Sequence, residues 1–177
     1  MNFVLAWLFR VPWILVFSTG FLVMVGALAL FSASEGSWSP WAERQLFRAG
    51  IGTLLLVFIA VIPVRWVYSW SYVILFGAIL LLVALPFIGI GTGATRWIAI
   101  GPFNFQPSEP AKIAVILALA RYYTAQSPEN MQSAFTHILP LALIAVPFGL
   151  VIIQPDLGTS AMLLVGSVAV IFVAGIP

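Results

Sequence analysis

Long apolar runs separated by short polar connections dominate the sequence. A helix that crosses a bilayer needs roughly 20 apolar residues, and six runs approach or reach that length when they are followed along the chain. The runs lie at about 13–33, 49–64, 70–90, 108–123, 137–153 and 157–176. The pattern therefore predicts an all-α polytopic membrane protein with about six transmembrane helices, in a single transmembrane domain over residues 1–177.

Two connections have compositions that suggest more than a plain loop. The segment WAERQLFR, residues 41–48, precedes the short second run, and we expect it to lie at the membrane interface and to lend that helix a turn. Residues 91–107 are rich in glycine, proline and aromatic side chains, so we predict a loop that folds back into a protein-lined cavity. The connections at 34–46 and 91–107 would share one side of the membrane.

Composition narrows the classes of function. Hydrophobic residues make up 63% of the chain and charged residues 7%, which leaves too few charges to cover a soluble domain. Cysteine is absent, which excludes a disulfide framework, thiol catalysis and a zinc-thiolate site. The chain also lacks the cluster of Lys and Arg that would follow a phosphate backbone, so a nucleic-acid partner is not expected.

Glu109 and Lys112 are the charged residues at the start of the fourth span. An ionisable side chain at bilayer depth costs roughly 2.5 to 3.5 kcal/mol, so this pair requires a compensating interaction or a function. Ser108 is predicted to be the N-cap of the helix, and Glu109 suits the positive end of the helix dipole. Lys112 follows Glu109 by three residues, where the two can pair on one face. A functional site and a structural ion pair both remain open.

The fourth span opens with Gln106-Pro107-Ser108-Glu109, and a second unit of this kind, Gln154-Pro155-Asp156, leads into the last apolar run. We call these two units the Q-P-acid motifs. Asp156 is the only aspartate in the chain. Its carboxylate either caps the following helix or faces the same cavity as Glu109, since both spans start on one side of the membrane.

Other polar and aromatic residues add weaker candidates. Arg96 could grip a phosphate or pyrophosphate, and Trp97 could cover a sugar or lipid face or belong to an interfacial belt. The single histidine, His137, is given a structural role, and no metal site is predicted. Belt positions at other span ends are Trp7, Trp13, Trp66, Tyr68, Trp70 and Tyr72.

The segments GATRWIAIGPFNFQPSEPAK and QPDLGTS resemble two signatures of the SEDS family of bacterial cell-wall proteins. The resemblance extends over essentially the whole chain. It implies the N-terminal part of a ten-span inner-membrane glycosyltransferase that polymerises lipid II together with a class B penicillin-binding transpeptidase and contacts membrane lipids. The short N-terminus and the SPENM loop favour the elongation branch of the family, which serves rod shape, over the division branch.

The resemblance also implies roles for individual residues. Positions matching Glu109, Lys112 and Asp156 are implicated in activity, and we take Glu109 and Asp156 as the catalytic candidates. The substrate-binding candidates are Arg96, Trp97, Gln106, Ser108, Lys112, Gln154 and Thr159. No cofactor is assigned, although a divalent cation remains an option. The family's principal catalytic aspartate lies in an outer loop of the second half, beyond Pro177, so this chain alone is expected to be inactive.

Orientation and function each leave an alternative. Arg10, Arg65 and Arg121 fall on one side of the membrane and balance the arginines on the other side, so the positive-inside count is a tie. The resemblance resolves it by implying a cytoplasmic N-terminus. A lipid II transporter and a non-catalytic scaffold of the cell-wall synthesis complex are the alternatives to a glycosyltransferase.

Overall fold

The computed structural model describes residues 13–91, 95–101, 103–127 and 129–175. Within these residues the chain forms six α-helices and one two-stranded hairpin, which confirms the predicted all-α membrane fold. The elements are α1 Trp13–Ala33, α2 Trp41–Val61, α3 Val64–Ile88, β1 Ile98–Ile100, β2 Phe103–Phe105, α4 Ser108–Thr124, α5 Ile138–Ile153 and α6 Leu157–Val173. The predictions for Trp7 and Arg10 lie outside the described residues.

Among the described residues, three helical stretches are long and apolar enough to cross a membrane: Trp13–Ala33, Val64–Ile88 and Ala134–Ile153. The apolar helix α6 is shorter, at 17 residues. Large apolar side chains cover the outer faces of these helices, as Phe87 and Phe172 show with exposures of 86% and 78%. Such surfaces are stable in hydrocarbon, where helices satisfy their own backbone hydrogen bonds. The chain is therefore a multi-pass membrane protein.

Two helix starts differ from the sequence prediction. Helix α2 begins at Trp41, so the last part of the loop predicted at 34–46 is helical. The first turns of α2 are charged, but their residues are good helix formers. Hydropathy distinguishes membrane-buried from exposed residues, so it does not mark where a helix begins outside the membrane. Helix α3 begins at Val64, not at residue 70, directly after Pro63. Ile62 before that proline has extended backbone angles, which separates α2 from α3.

The described residues divide into two compact units at the boundary between Pro63 and Val64. In the first unit, α1 and α2 pack against each other, and Ala27 and Ala42 are fully buried. Gly26 provides room for this approach, because a Cβ there would lie 2.6 Å from Gln45 Nε2. A small residue thus allows a polar side chain of α2 to lie against α1.

The second unit is a bundle of α3, α4, α5 and α6. Helix α4 contacts the other three helices and carries most of the buried core. Ala111, Ala114 and Ala118 are fully buried on α4, and such small side chains let helix backbones approach closely. Larger apolar residues fill the remaining space: Leu75, Leu82, Val115, Leu119, Ile144, Val151 and Leu163. The central position of α4 fixes where its polar first turn lies relative to its neighbours.

The connection predicted at 91–107 contains a short antiparallel hairpin. Ile98 pairs with Phe105 and Ile100 with Phe103, and Gly101 in the turn has a φ of 59°. The Ile90 N–H donates to the Trp97 carbonyl at 2.7 Å, which ties the hairpin to the end of α3. Strands of three residues are too short to give a clear alternating pattern, so the sequence predicted only a loop.

Candidate functional site

The first turn of α4 corrects one sequence prediction. Ser108 was predicted to be the N-cap, but the N-cap is Pro107, and it makes no side-chain capping bond. The Glu109 N–H donates to the Gln106 carbonyl and the Ala111 N–H to the Pro107 carbonyl, so the turn begins before Ser108. Ser108 is a buried helical residue with 2% exposure. Pro110 is tolerated in this first turn because an N–H at that position would have no partner within the helix.

The predicted pairing of Glu109 with Lys112 is present. Lys112 Nζ lies 3.0 Å from Glu109 Oε1, and the exposed fractions of the two side chains are 18% for Lys112 and 57% for Glu109. The same ammonium lies 3.9 Å from Met162 Sδ on α6. Lys112 therefore reaches from α4 to α6, while the Glu109 carboxylate stays accessible from outside the bundle.

Asp156 caps α6, as the sequence predicted. Its Oδ1 accepts from the Thr159 N–H at 3.2 Å, and its Oδ2 accepts from the Thr159 hydroxyl at 2.8 Å. An aspartate at this position satisfies an N–H group that has no partner within the helix. The cap also fixes the direction in which the carboxylate points.

The capping carboxylate also receives a bond from the other Q-P-acid motif. Gln106 Nε2 donates to Asp156 Oδ2 at 2.8 Å, across 50 positions of sequence. The two motifs therefore meet at one end of the bundle, where α4 and α6 begin. The structure thus confirms the capping role of Asp156, while a cavity shared with Glu109 stays a prediction.

Arg96 binds the turn that precedes Asp156. Its Nε donates to the Gln154 carbonyl at 3.0 Å, and its Nη2 donates to the Pro155 carbonyl. Gln154 is buried at 6% exposure, and its Nε2 donates to the Leu82 carbonyl of α3 at 3.2 Å. The hairpin segment, the α5–α6 turn and α3 are thus joined beside the carboxylate.

The predicted site residues differ in how far they are open to a ligand. Ser108 and Gln154 are buried, and Asp156 has most of its hydrogen-bonding capacity used by Gln106 and Thr159. Trp97, which is 40% exposed, and Glu109 are the more open members. Sequence reasoning missed the backbone contacts of Arg96 and the bond from Gln106 to Asp156. No local signal predicts contacts between residues so distant in the chain.

The described part of the chain does not meet the needs of a metal site. Among those residues, no group of three His, Cys, Asp or Glu side chains is placed to hold one. His137 lies at the opposite end of the bundle, 3.4 Å from the Tyr123 hydroxyl and 3.1 Å from the Met131 carbonyl. The candidate site therefore consists of two carboxylates, an ammonium, a guanidinium and amide groups.

The fold and this cluster define a polytopic membrane protein that keeps charged and amide groups together at one end of a helical bundle. A family model described as "Cell cycle protein", for FtsW, RodA and SpoVE, matches residues 6–177. The chain belongs to this family, which confirms the resemblance identified from the two sequence motifs.

Individual relatives agree with that assignment. The chain is 37% identical over 157 residues to the peptidoglycan glycosyltransferase MrdB of Escherichia coli K12, covering 88% of this chain and 41% of MrdB. It is 32% identical over 174 residues to stage V sporulation protein E of Bacillus subtilis, covering 92% of this chain and 47% of that protein. The chain thus spans less than half the length of these relatives.

Solved structures share the fold. The crystal structure of Thermus thermophilus rod shape determining protein RodA aligns with a TM-score of 0.81 and 32% identity, covering 94% of this chain and 54% of that one. A chain of a peptidoglycan synthase complex, solved to explain the coordination of polymerization and crosslinking, aligns with the same score and identity and is covered to 48%. The described bundle is therefore a recurring part of larger proteins.

Proposed function

We propose that the protein is a peptidoglycan glycosyltransferase that polymerises lipid II into glycan strands for cell-wall elongation and rod shape. The observation that carries the proposal is the bond from Gln106 to Asp156, which joins the two Q-P-acid motifs into one polar site. Relatives named peptidoglycan glycosyltransferase, with 37% identity in the case of MrdB, support the same reaction.

The reaction joins two lipid-linked sugars. A carboxylate takes the proton from the acceptor sugar hydroxyl, whose oxygen then attacks the anomeric carbon of the donor and expels the polyprenyl pyrophosphate. Glu109 suits contact with substrate because its side chain is 57% exposed. Asp156 suits a fixed electrostatic role, since Gln106 and Thr159 hold its carboxylate in one orientation.

The leaving group gathers negative charge, and two cations of the candidate site are proposed to stabilise it. Lys112 and Arg96 can stabilise a pyrophosphate, and fixed charges act more strongly in a partly dry site than in water. Arg96 uses two N–H groups on the Gln154 and Pro155 carbonyls, and its guanidinium has further donors for an anion. Trp97 would cover a sugar ring, while buried Ser108 and Gln154 would support the site from behind.

The remaining assignments follow from the same reaction. We place the protein in the bacterial cytoplasmic membrane with a cytoplasmic N-terminus, so that the site faces outward, where glycan strands are built. A class B penicillin-binding transpeptidase is the proposed partner, because crosslinking consumes the polymer. The matching chain in a peptidoglycan synthase complex supports this pairing.

Polymerisation of labelled lipid II in liposomes tests the proposal. The chain would be assayed alone and as a hybrid in which residues 6–177 replace the matching part of E. coli MrdB. We expect polymer from the hybrid and none from the chain alone. Glu109→Gln and Asp156→Asn should each abolish most of that polymer, while Glu129→Gln, an exposed carboxylate on the opposite connection, should not.

Two outcomes would contradict the assignment. Normal polymer from both the Glu109 and the Asp156 variants would remove these residues from the site. Movement of labelled lipid II across the bilayer without polymer would replace the glycosyltransferase by a transporter. Polymer from the chain alone would place the catalytic base within these 177 residues.

A further inference from the structure

Arg121, near the end of α4, lies between two tyrosine rings of α3. Its Cζ is 4.6 Å from the centroid of the Tyr72 ring and 5.3 Å from that of the Tyr68 ring. Its Nη1 donates to the Ser69 carbonyl at 2.7 Å. The rings attract the cation through their faces, and the hydrogen bond sets its orientation. The guanidinium is therefore held in place at the end of the bundle opposite to the candidate active site.

The charge of Arg121 is not neutralised by a carboxylate in the described part of the chain. The ion pair found among those residues is Lys112 with Glu109, on the first turns of α4. Arg121 is partly exposed, and of its several N–H groups one is used by Ser69. The remaining donors form a fixed fork of the kind that matches phosphate oxygens.

An apolar groove of about 380 Å³ adjoins this arginine. Tyr72 belongs to both features, because its ring faces Arg121 and also lines the groove. Tyr122 is fixed there by a bond from its hydroxyl to the Thr136 carbonyl at 2.7 Å. The other lining residues are Ala125, Gln126, Leu139 and Leu143, from the end of α4 and the start of α5.

We propose that Arg121 and this groove bind an anionic phospholipid, with the phosphodiester on the guanidinium and an acyl chain in the groove. Charge complementarity selects the headgroup, since the fork lacks a carboxylate partner within the described residues and is partly exposed. Basic pockets between membrane helices suit such headgroups. The apolar lining distinguishes a lipid from a free phosphate. This inference does not depend on the proposed glycosyltransferase activity.

Lipid binding to the purified chain tests the proposal. The 177-residue chain would be delipidated in detergent and titrated with phosphatidylglycerol, phosphatidylcholine or glycerol phosphate, with bound ligand counted by native mass spectrometry. We expect phosphatidylglycerol to bind more tightly than phosphatidylcholine by about fivefold, as one arginine contact with an anionic headgroup predicts. Glycerol phosphate should bind much more weakly, because it leaves the groove empty.

Variants separate the headgroup contact from the acyl contact. Arg121→Gln should remove the preference for phosphatidylglycerol, whereas Arg65→Gln, an exposed arginine at the same end of α3, should keep it. Leu139→Trp fills the groove without touching the charge, so it should weaken both lipids. If Arg121→Gln fails to fold, Leu139→Trp still tests the proposal.

Four results would overturn the proposal, three of them from the two lipids and the variants. These three are equal binding of the two lipids by the parent chain, an unchanged preference in a folded Arg121→Gln, and unchanged binding in Leu139→Trp. Glycerol phosphate that binds as tightly as the lipid would also overturn it, since that result describes a phosphate site without a role for the groove.

Discussion

The two ends of the α3–α6 bundle are each organised by an arginine, but the two arginines bind different groups. Arg96 donates to the backbone carbonyls of Gln154 and Pro155, next to a hydrogen-bonded aspartate. Arg121 lies against two aromatic faces and makes one backbone bond, to Ser69. Both guanidiniums are held, but Arg96 uses two donor groups on one turn, whereas Arg121 uses one on a backbone carbonyl and stacks on aromatic faces.

The difference matches the two proposed tasks. A transfer reaction needs its carboxylates held in a narrow geometry, because small displacements of catalytic groups cost large factors in rate. A lipid site needs a cation that stays available at the membrane surface. We therefore expect the Arg96 end to respond sharply to small changes and the Arg121 end to respond mildly.

The largest expected effect comes from Asp156→Asn. Asparagine is also a good N-cap, so the variant removes the charge while keeping the cap of α6. We expect kcat for lipid II polymerisation by the hybrid to fall about 100-fold, as for the loss of an acid–base or charged catalytic group, with little change in thermal stability. If stability fell and kcat did not, Asp156 would be only a structural cap.

Gly89→Ala tests how tightly the chain is packed where α3 ends and the hairpin segment approaches it. A Cβ at this position would lie 2.5 Å from the Leu85 carbonyl oxygen and 3.2 Å from Thr95 Cβ. Overpacking of this kind costs about 1 to 3 kcal/mol, and the displaced segment carries Arg96. Thermal unfolding in detergent should show the loss.

The matched control lies inside α3, whereas Gly89 directly follows the last residue of that helix. Gly77 has no heavy atom within 4 Å of an added Cβ, so Gly77→Ala should be neutral or slightly stabilising. Equal effects of the two substitutions would mean that the hairpin is not tightly packed on α3.

Arg96→Lys sharpens the contrast between the two arginines. Lysine keeps the charge but cannot place two donors on adjacent carbonyls in a fixed fork. Loss of one charged hydrogen bond should lower kcat by about tenfold, which corresponds to about 1.4 kcal/mol, while KM changes less. Arg48→Lys, at an exposed position of α2, is the control. A mere rise in KM would instead indicate that Arg96 acts mainly on the substrate.

The smallest effect is expected for the stability contribution of Glu109 and Lys112. Their pair is 3.0 Å long but more than half exposed on the Glu109 side, so solvent screens it. A double-mutant cycle with Glu109→Gln and Lys112→Met should give a coupling free energy below about 1 kcal/mol. A much larger coupling would show that the pair is a structural element of the bundle rather than an accessible site.

Local patterns in the sequence determined the membrane class, the number of helices and several helix ends. Asp156 could be predicted as a cap because a cap depends on the next few residues only. The Glu109–Lys112 pair likewise follows from helical spacing. The start of α3 at Val64 escaped prediction, and the extension of α2 back to Trp41 was predicted only as one added turn. Hydropathy separates apolar from charged residues rather than helix from loop.

Only the tertiary structure decided which polar groups meet. Gln106 and Asp156 are 50 positions apart, Arg96 and Gln154 are 58 apart, and Arg121 and Ser69 are 52 apart. The contacts of Gln106 and Arg121 follow from the close packing of α4, through its small buried residues, against α3 and α6, and that of Arg96 joins the hairpin segment to the α5–α6 turn. The sequence determines the chemistry available at each helix end, while helix packing determines which ends are neighbours. For that reason the same residue type bridges two carbonyls of a turn at position 96 and lies against two tyrosine rings at position 121.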